Sequence, residues 1–189
     1  MKRFLVSTLA GLALVFAAGT AQAQVFTPTF QSPRLTNDLG LYINNGPGDL
    51  GIEGIWRGGP LGLRVGYVDA GDGMLSVGGE LRNPIRIANA PLGLAFTLGV
   101  QGLIGDNSAI GAQGGLTAGY TFTPEGMAIT PYVHPRIGIV DCGKHCDTEV
   151  KALADLGVDV EFHNNLIFRL GFALDDVGAD FGFGLAVRR

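Results

Sequence analysis

The sequence predicts an all-β fold, an antiparallel up-and-down transmembrane β-barrel of eight to ten strands, and three observations carry that expectation. From Leu50 onward, apolar residues recur at every second position, which is the period of a strand and not of a helix. Short clusters of turn-forming residues separate the alternating stretches. One face of the alternation is large and apolar, while the other is mostly Gly, Ala, Thr and Gln with a few charges. The composition is consistent with this: 31 of the 189 residues are glycine, 47% are hydrophobic and only 16% are charged. An apolar fraction this high excludes a disordered tail. Glycines without a three-residue period exclude collagen, and a pI near 5.2 argues against a nucleic-acid partner.

Residues 1–23 read as a cleaved secretory signal. Lys2 and Arg3 form its positive start, residues 4–18 its apolar stretch, and Ala21-Gln22-Ala23 its cleavage site. The apolar run is short for a spanning helix, which needs roughly 20 residues. Removal of Lys2 and Arg3 leaves 11 basic against 17 acidic side chains, a net charge of −6. Residues 24–37 have no period and are expected to form an irregular arm on the periplasmic side. The barrel is assigned to residues 38–189.

Within it, residues 39–43 form a weak first strand ahead of Asn44-Asn45-Gly46-Pro47-Gly48. Nine clearer strands follow, over 50–57, 61–69, 75–82, 92–101, 110–122, 129–139, 150–162, 166–174 and 181–188. Their boundaries are set by Arg57-Gly58-Gly59-Pro60, Gly71-Asp72-Gly73, Gly105-Asp106-Asn107-Ser108, Thr123-Pro124-Glu125-Gly126, His163-Asn164-Asn165 and Asp175-Asp176-Val177-Gly178. An even number of strands returns the chain to the end where it began. Pro131 and Pro135 each remove a ladder donor, and a bulge is the expected accommodation.

Alternation alone does not say which face meets water. A soluble barrel carries many Lys and Glu outside, yet after residue 23 the only lysines are Lys144 and Lys151. Small residues suit a narrow interior, and large apolar ones suit a lipid-facing band. Trp56, Tyr67, Tyr120, Phe122 and Phe162 fall near strand ends, where aromatics mark a membrane interface.

With apolar residues outward, the inward set contains Glu53, Arg64, Glu80, Arg82, Gln101, Gln113, His134, Arg136, Lys151, Asp155, Asp159, Glu161 and Arg169. Its five acids and five bases are expected to pair, because unpaired buried charge is costly. Loop lengths place Arg64 opposite Glu80 and Asp159 opposite Arg169, and parity permits Arg136 opposite Asp155. Such a network fills a lumen and fixes register. As a gate or narrow polar path it would admit water or small ions.

Cys142 and Cys146 are expected to form a small disulfide pinning an outer loop. A reduced metal set of Cys142, His145, Cys146 and Asp147 is too tightly spaced for tetrahedral geometry, so no metal and no other cofactor is expected. Neither Ser76 nor Ser108 stands to His134 in the His-x-Ser pattern that barrel deacylases show. His134 is followed by Pro135-Arg136, and Asp175-Asp176 reads as a turn. No phosphate loop is present, and Gly182-Phe183-Gly184 falls inside a strand. The protein is therefore not expected to be an enzyme.

The glycine-punctuated strands over residues 39–189, together with Ile129-Thr130-Pro131-Tyr132-Val133, resemble the small outer-membrane β-barrel proteins of the OmpA-like and OmpX-like group. The resemblance implies a bacterial outer-membrane location, lipids and the barrel-assembly machinery as partners, and a structural or limited-passage role. That group commonly ends in an aromatic residue, whereas this chain ends Val187-Arg188-Arg189. Two other classes compete: a soluble exported barrel binding an apolar ligand, and a barrel enzyme acting on lipid A or peptides.

Overall fold

A computed structural model describes residues 25–45, 50–69, 73–87, 92–106, 108–143, 147–174 and 179–189. The expected signal, residues 1–23, lies outside them, as do Cys146 and the Asp175-Asp176 turn.

Ten strands form: β1 Asn37–Asn44, β2 Leu50–Gly58, β3 Leu61–Asp69, β4 Met74–Ile85, β5 Gly93–Ile104, β6 Ala109–Gly119, β7 Met127–Asp141, β8 Glu149–Phe162, β9 Leu166–Leu174 and β10 Ala179–Arg188. Each pairs antiparallel with its chain neighbours, and β1 pairs with β10, so the sheet closes on itself with no free edge. The strand at residues 39–43, weakest in the sequence, is the one that closes the barrel. We call proximal the end where β1 starts and β10 finishes, and distal the end carrying the 45–49, 70–73, 105–108, 142–148 and 175–178 connections.

Alternation converts directly into two surfaces. Burial along β1 alternates exposed and buried without a break, and β2, β3 and β7 alternate along most of their length. Every strand exposes large apolar side chains, such as Leu41, Ile52, Leu63, Leu98, Ile137 and Leu185. The exposed charges on strands, Asp69, Asp141 and Glu149, all stand at distal ends. A tight turn joins β2 to β3 at the proximal end, where Gly59 adopts φ 59°, a conformation that favours glycine.

The expected bulge in β7 is absent. The β6–β7 ladder keeps one register on both sides of Pro135, skipping only the pairs between Gly115↔Arg136 and Ala118↔Val133. On the other side, Pro131↔Val158 and Pro135↔Ala154 sit in an unbroken β7–β8 ladder. A missing N–H costs a local bond, and the closed sheet holds register across the gap.

Candidate functional site

The interior is the candidate site, and residues 25–36 occupy it. This segment was expected to lie on the periplasmic side. It runs through the lumen instead: Val25, Phe26, Thr27, Thr29, Phe30, Gln31 and Ser32 are at most 2% exposed. Val25 and Phe26 pack at the distal end against Val68, Leu103, Val140, Cys142 and Leu153. At the proximal end, Pro33 lies over Gly93 and Gly119. The chain therefore crosses the barrel lengthwise before turning back into β1.

The wall makes room for the arm with glycines. A Cβ on Gly111 would stand 2.6 Å from the Phe26 ring, and one on Gly182 would stand 2.8 Å from the Phe30 ring. Gly138 also borders Phe26, and Gly171 borders Phe30. Phe30 bends the arm at φ 52° and packs on Tyr42 with ring centroids 4.7 Å apart. Phe26 lies under the Arg136 guanidinium, 5.6 Å from ring centroid to Cζ.

Polar side chains of the wall grip the rest. Arg57 Nη2 donates to the Thr29 carbonyl at 3.2 Å and Arg64 Nη2 to the Pro28 carbonyl at 3.3 Å. Arg82 Nη1 donates to the carbonyls of Ser32 and Arg34 at 2.9 and 3.4 Å. Gln31 donates to Glu80 at 2.9 Å and Ser32 to Asp159 at 2.8 Å, while Thr27 accepts from Arg64 and Gln101. Thr29 donates through its hydroxyl to Asp155, and its Oγ1 lies 3.0 Å from His134 Nδ1.

The eleven charged or histidine residues singled out in the sequence all lie inside, none more than 7% exposed. Asp159 stands opposite Arg169 as its loop length predicts, with Arg169 Nε 3.2 Å from the carboxylate. The pairing of Arg64 with Glu80 is overturned: Arg64 faces Gly78, and Glu80 faces Gly62. The β3–β4 connection spans residues 69–73 between the last paired residues, Val68 and Met74, which shifts the register by two. A shift of two preserves the face but changes the partner. Arg64 pairs instead with Glu53, and Arg57 Nε with Glu80 at 2.9 Å. Arg136 is displaced too: His134 stands opposite Asp155, and Arg136 reaches that carboxylate diagonally at 2.8 Å. Glu161 pairs with Arg34 and Arg188 at the proximal end, and Lys151 is held near Glu149 at 3.6 Å.

Arg57, Asp38 and Tyr42 belong to this interior although they were not singled out. Arg169 binds Asp38 at 2.8 Å in addition to Asp159. Arg57 opens a turn string in the sequence, yet Glu53, Ile55 and Arg57 share one face of β2, and that parity signals its direction.

His134 has both ring nitrogens engaged, Nε2 with Thr97 Oγ1 at 2.7 Å and Nδ1 with Thr29 and Asp155. The Thr97 hydroxyl and the Asp155 carboxylate thus stand on opposite nitrogens of the ring, and the Thr29 hydroxyl shares Nδ1 with the carboxylate. Cys142 is buried at the end of β7; its expected partner, Cys146, is outside the described residues, as are Lys144 and His145. Among the described residues, no group of three His, Cys, Asp or Glu converges as a metal set.

The architecture is thus a closed ten-stranded antiparallel barrel with an apolar exterior and a charged interior. No family model matches the chain, so the likeness to OmpA-like and OmpX-like barrels has no family match behind it. No curated protein matches either. Among solved structures, the chain is similar to one titled "Bacterial polysaccharide outer membrane secretin", at a TM-score of 0.46 and 11% identity, over 80% of this chain and 57% of that one. The chain spans little more than half the length of that structure.

Proposed function

We propose that this protein is an integral outer-membrane β-barrel, non-enzymatic, which serves envelope integrity and restricts solute passage because its own N-terminal segment closes the lumen. One observation carries the reading: all ten strands present large apolar side chains outward, and outward charges stand only at distal strand ends. In water such a surface would be a large aggregation liability; in a bilayer it is the required boundary. Trp56, Tyr120, Phe122 and Phe162 gather near the proximal end, where they would anchor one interface. Outer-membrane lipids along the band and the barrel-assembly machinery during insertion are then the immediate partners.

An apolar-ligand carrier needs an apolar cavity, and here the inward face is charged and filled by residues 25–36. The network supports a closed lumen: Glu53, Glu80, Asp155 and Asp159 each meet an arginine of the wall. Orientation follows the same reading, with the proximal end toward the periplasm and Val25 near the outer face. An epitope inserted directly before Val25 is then labelled on intact cells, while one after Arg189 is not.

The test is electrophoresis in SDS with and without boiling, on fractionated membranes. A heat-dependent mobility shift confined to the outer-membrane fraction is the expected result, since a sheet with every strand paired resists detergent. Recovery in the soluble fraction with no shift would overturn the reading.

A further inference from the structure

We infer that the barrel interior is a binding channel for an extended peptide, of which residues 25–36 are the occupant built into the chain, and that the same channel accepts a peptide of that chemistry supplied separately. This goes beyond the membrane reading and does not depend on it.

The sheet closes without the arm. Each strand has two strand neighbours, and among the described residues no backbone–backbone bond outside the strands reaches residues 25–36. The arm is held by side chains of the wall. Arg57, Arg64 and Arg82 reach main-chain carbonyls of residues 28, 29, 32 and 34, a feature any peptide offers. Pro28 and Pro33 reduce the number of N–H groups the lumen has to satisfy, and the one at Thr29 is received by Asp155 at 3.3 Å.

Arg82 is the clearest sign of a site made for this ligand. It is 1% exposed and, among the described residues, has no carboxylate within ion-pairing distance. Its hydrogen-bond acceptors are the arm's carbonyls, and its Nη2 has none. A buried guanidinium without its acceptors is expensive, so the wall is incomplete as a polar network until a peptide main chain is present.

Selectivity comes from two aromatic sockets. Gly111 and Gly138 form the one for Phe26, and Gly171, Gly182 and Tyr42 the one for Phe30. Between and beyond them, hydroxyl groups at 27, 29 and 32 meet Arg64, Asp155 and Asp159. The ligand class is therefore an extended peptide with aromatic residues four apart, separated by hydroxyl residues and a proline.

Two forms of the protein test this in detergent. One lacks residues 25–36. The other folds whole, with a protease site replacing Arg34-Leu35, which are partly exposed at the proximal end, and is cut afterwards. A fluorescent peptide of residues 25–34 is added to each. Saturable one-to-one binding is expected, in the cut form by exchange with the severed arm. Carrying Phe26→Ala and Phe30→Ala in the peptide weakens it at least ~10-fold, and the uncut chain takes up none. A form that keeps the β-sheet circular dichroism of the whole chain but binds no peptide, or binds a scrambled one equally well, overturns the proposal. If the deletion does not fold, the cut form decides it alone.

Discussion

On β8, Val150, Leu156 and Phe162 point outward while Lys151, Asp155, Asp159 and Glu161 point inward, so nearby residues of one strand sit in opposite environments. The outward set is interchangeable in kind, since any large apolar side chain meets the need of a lipid boundary. The inward set is specific in position: each charge has a named partner, and several partners lie in the arm, more than 100 residues away in sequence. One face is defined by composition and the other by geometry, and substitutions should separate the two.

The largest effect is expected inside. Asp155→Ala leaves Arg136, His134 and Thr29 without their common acceptor, a loss of about 3–5 kcal/mol for a broken buried pair, read as a lower unfolding midpoint in urea. Next comes the band. Leu98→Arg, at the middle of β5, should cost about 2–4 kcal/mol in a bilayer, while Leu61→Arg, at the proximal end of β3, should cost about 0–1. Equal, negligible costs at both positions would mean that the outer face meets water.

Glycines sharpen the contrast further. Gly111→Leu invades the Phe26 socket and should cost about 1–3 kcal/mol, exposing residues 25–36 to protease while the barrel keeps its heat shift. Gly54→Ala, where the nearest atom to a new Cβ is the Val65 carbonyl oxygen at 3.8 Å, should change the unfolding midpoint little by comparison. The smallest effect is expected for Arg34→Ala, whose side chain is 39% exposed and pairs with Glu161 at the rim: about 0–1 kcal/mol in the same unfolding assay.

The sequence made the wall legible because period two is a strong local signal wherever one face is uniformly apolar. Strands at 61–69 and 166–174 come out with the bounds the pattern predicts, and the weak stretch at 39–43 is the first strand. Inward parity was readable for the same reason. Partner identity was readable only where a loop is short and tight: His163-Asn164-Asn165 gave Asp159 with Arg169, while the longer 69–73 connection displaced Arg64 from Glu80. The arm could not be placed, since residues 25–36 have no period and their destination is written elsewhere. It is written in the wall, in glycines at 111, 138, 171 and 182 that read as ordinary small inward residues until Phe26 and Phe30 are seen filling the space above them. Arg82 is the corresponding polar clue, an inward cation with, among the described residues, no carboxylate within ion-pairing distance.

The central claim is that the barrel wears its apolar face outward in lipid, and the chain carries a native probe for it. Trp56 is the only tryptophan, and it points outward near the proximal end of β2. In liposomes, its fluorescence should be quenched strongly by lipids brominated on their acyl chains and weakly by aqueous acrylamide. Strong acrylamide quenching with no response to the brominated lipids would contradict the claim and place that surface in water.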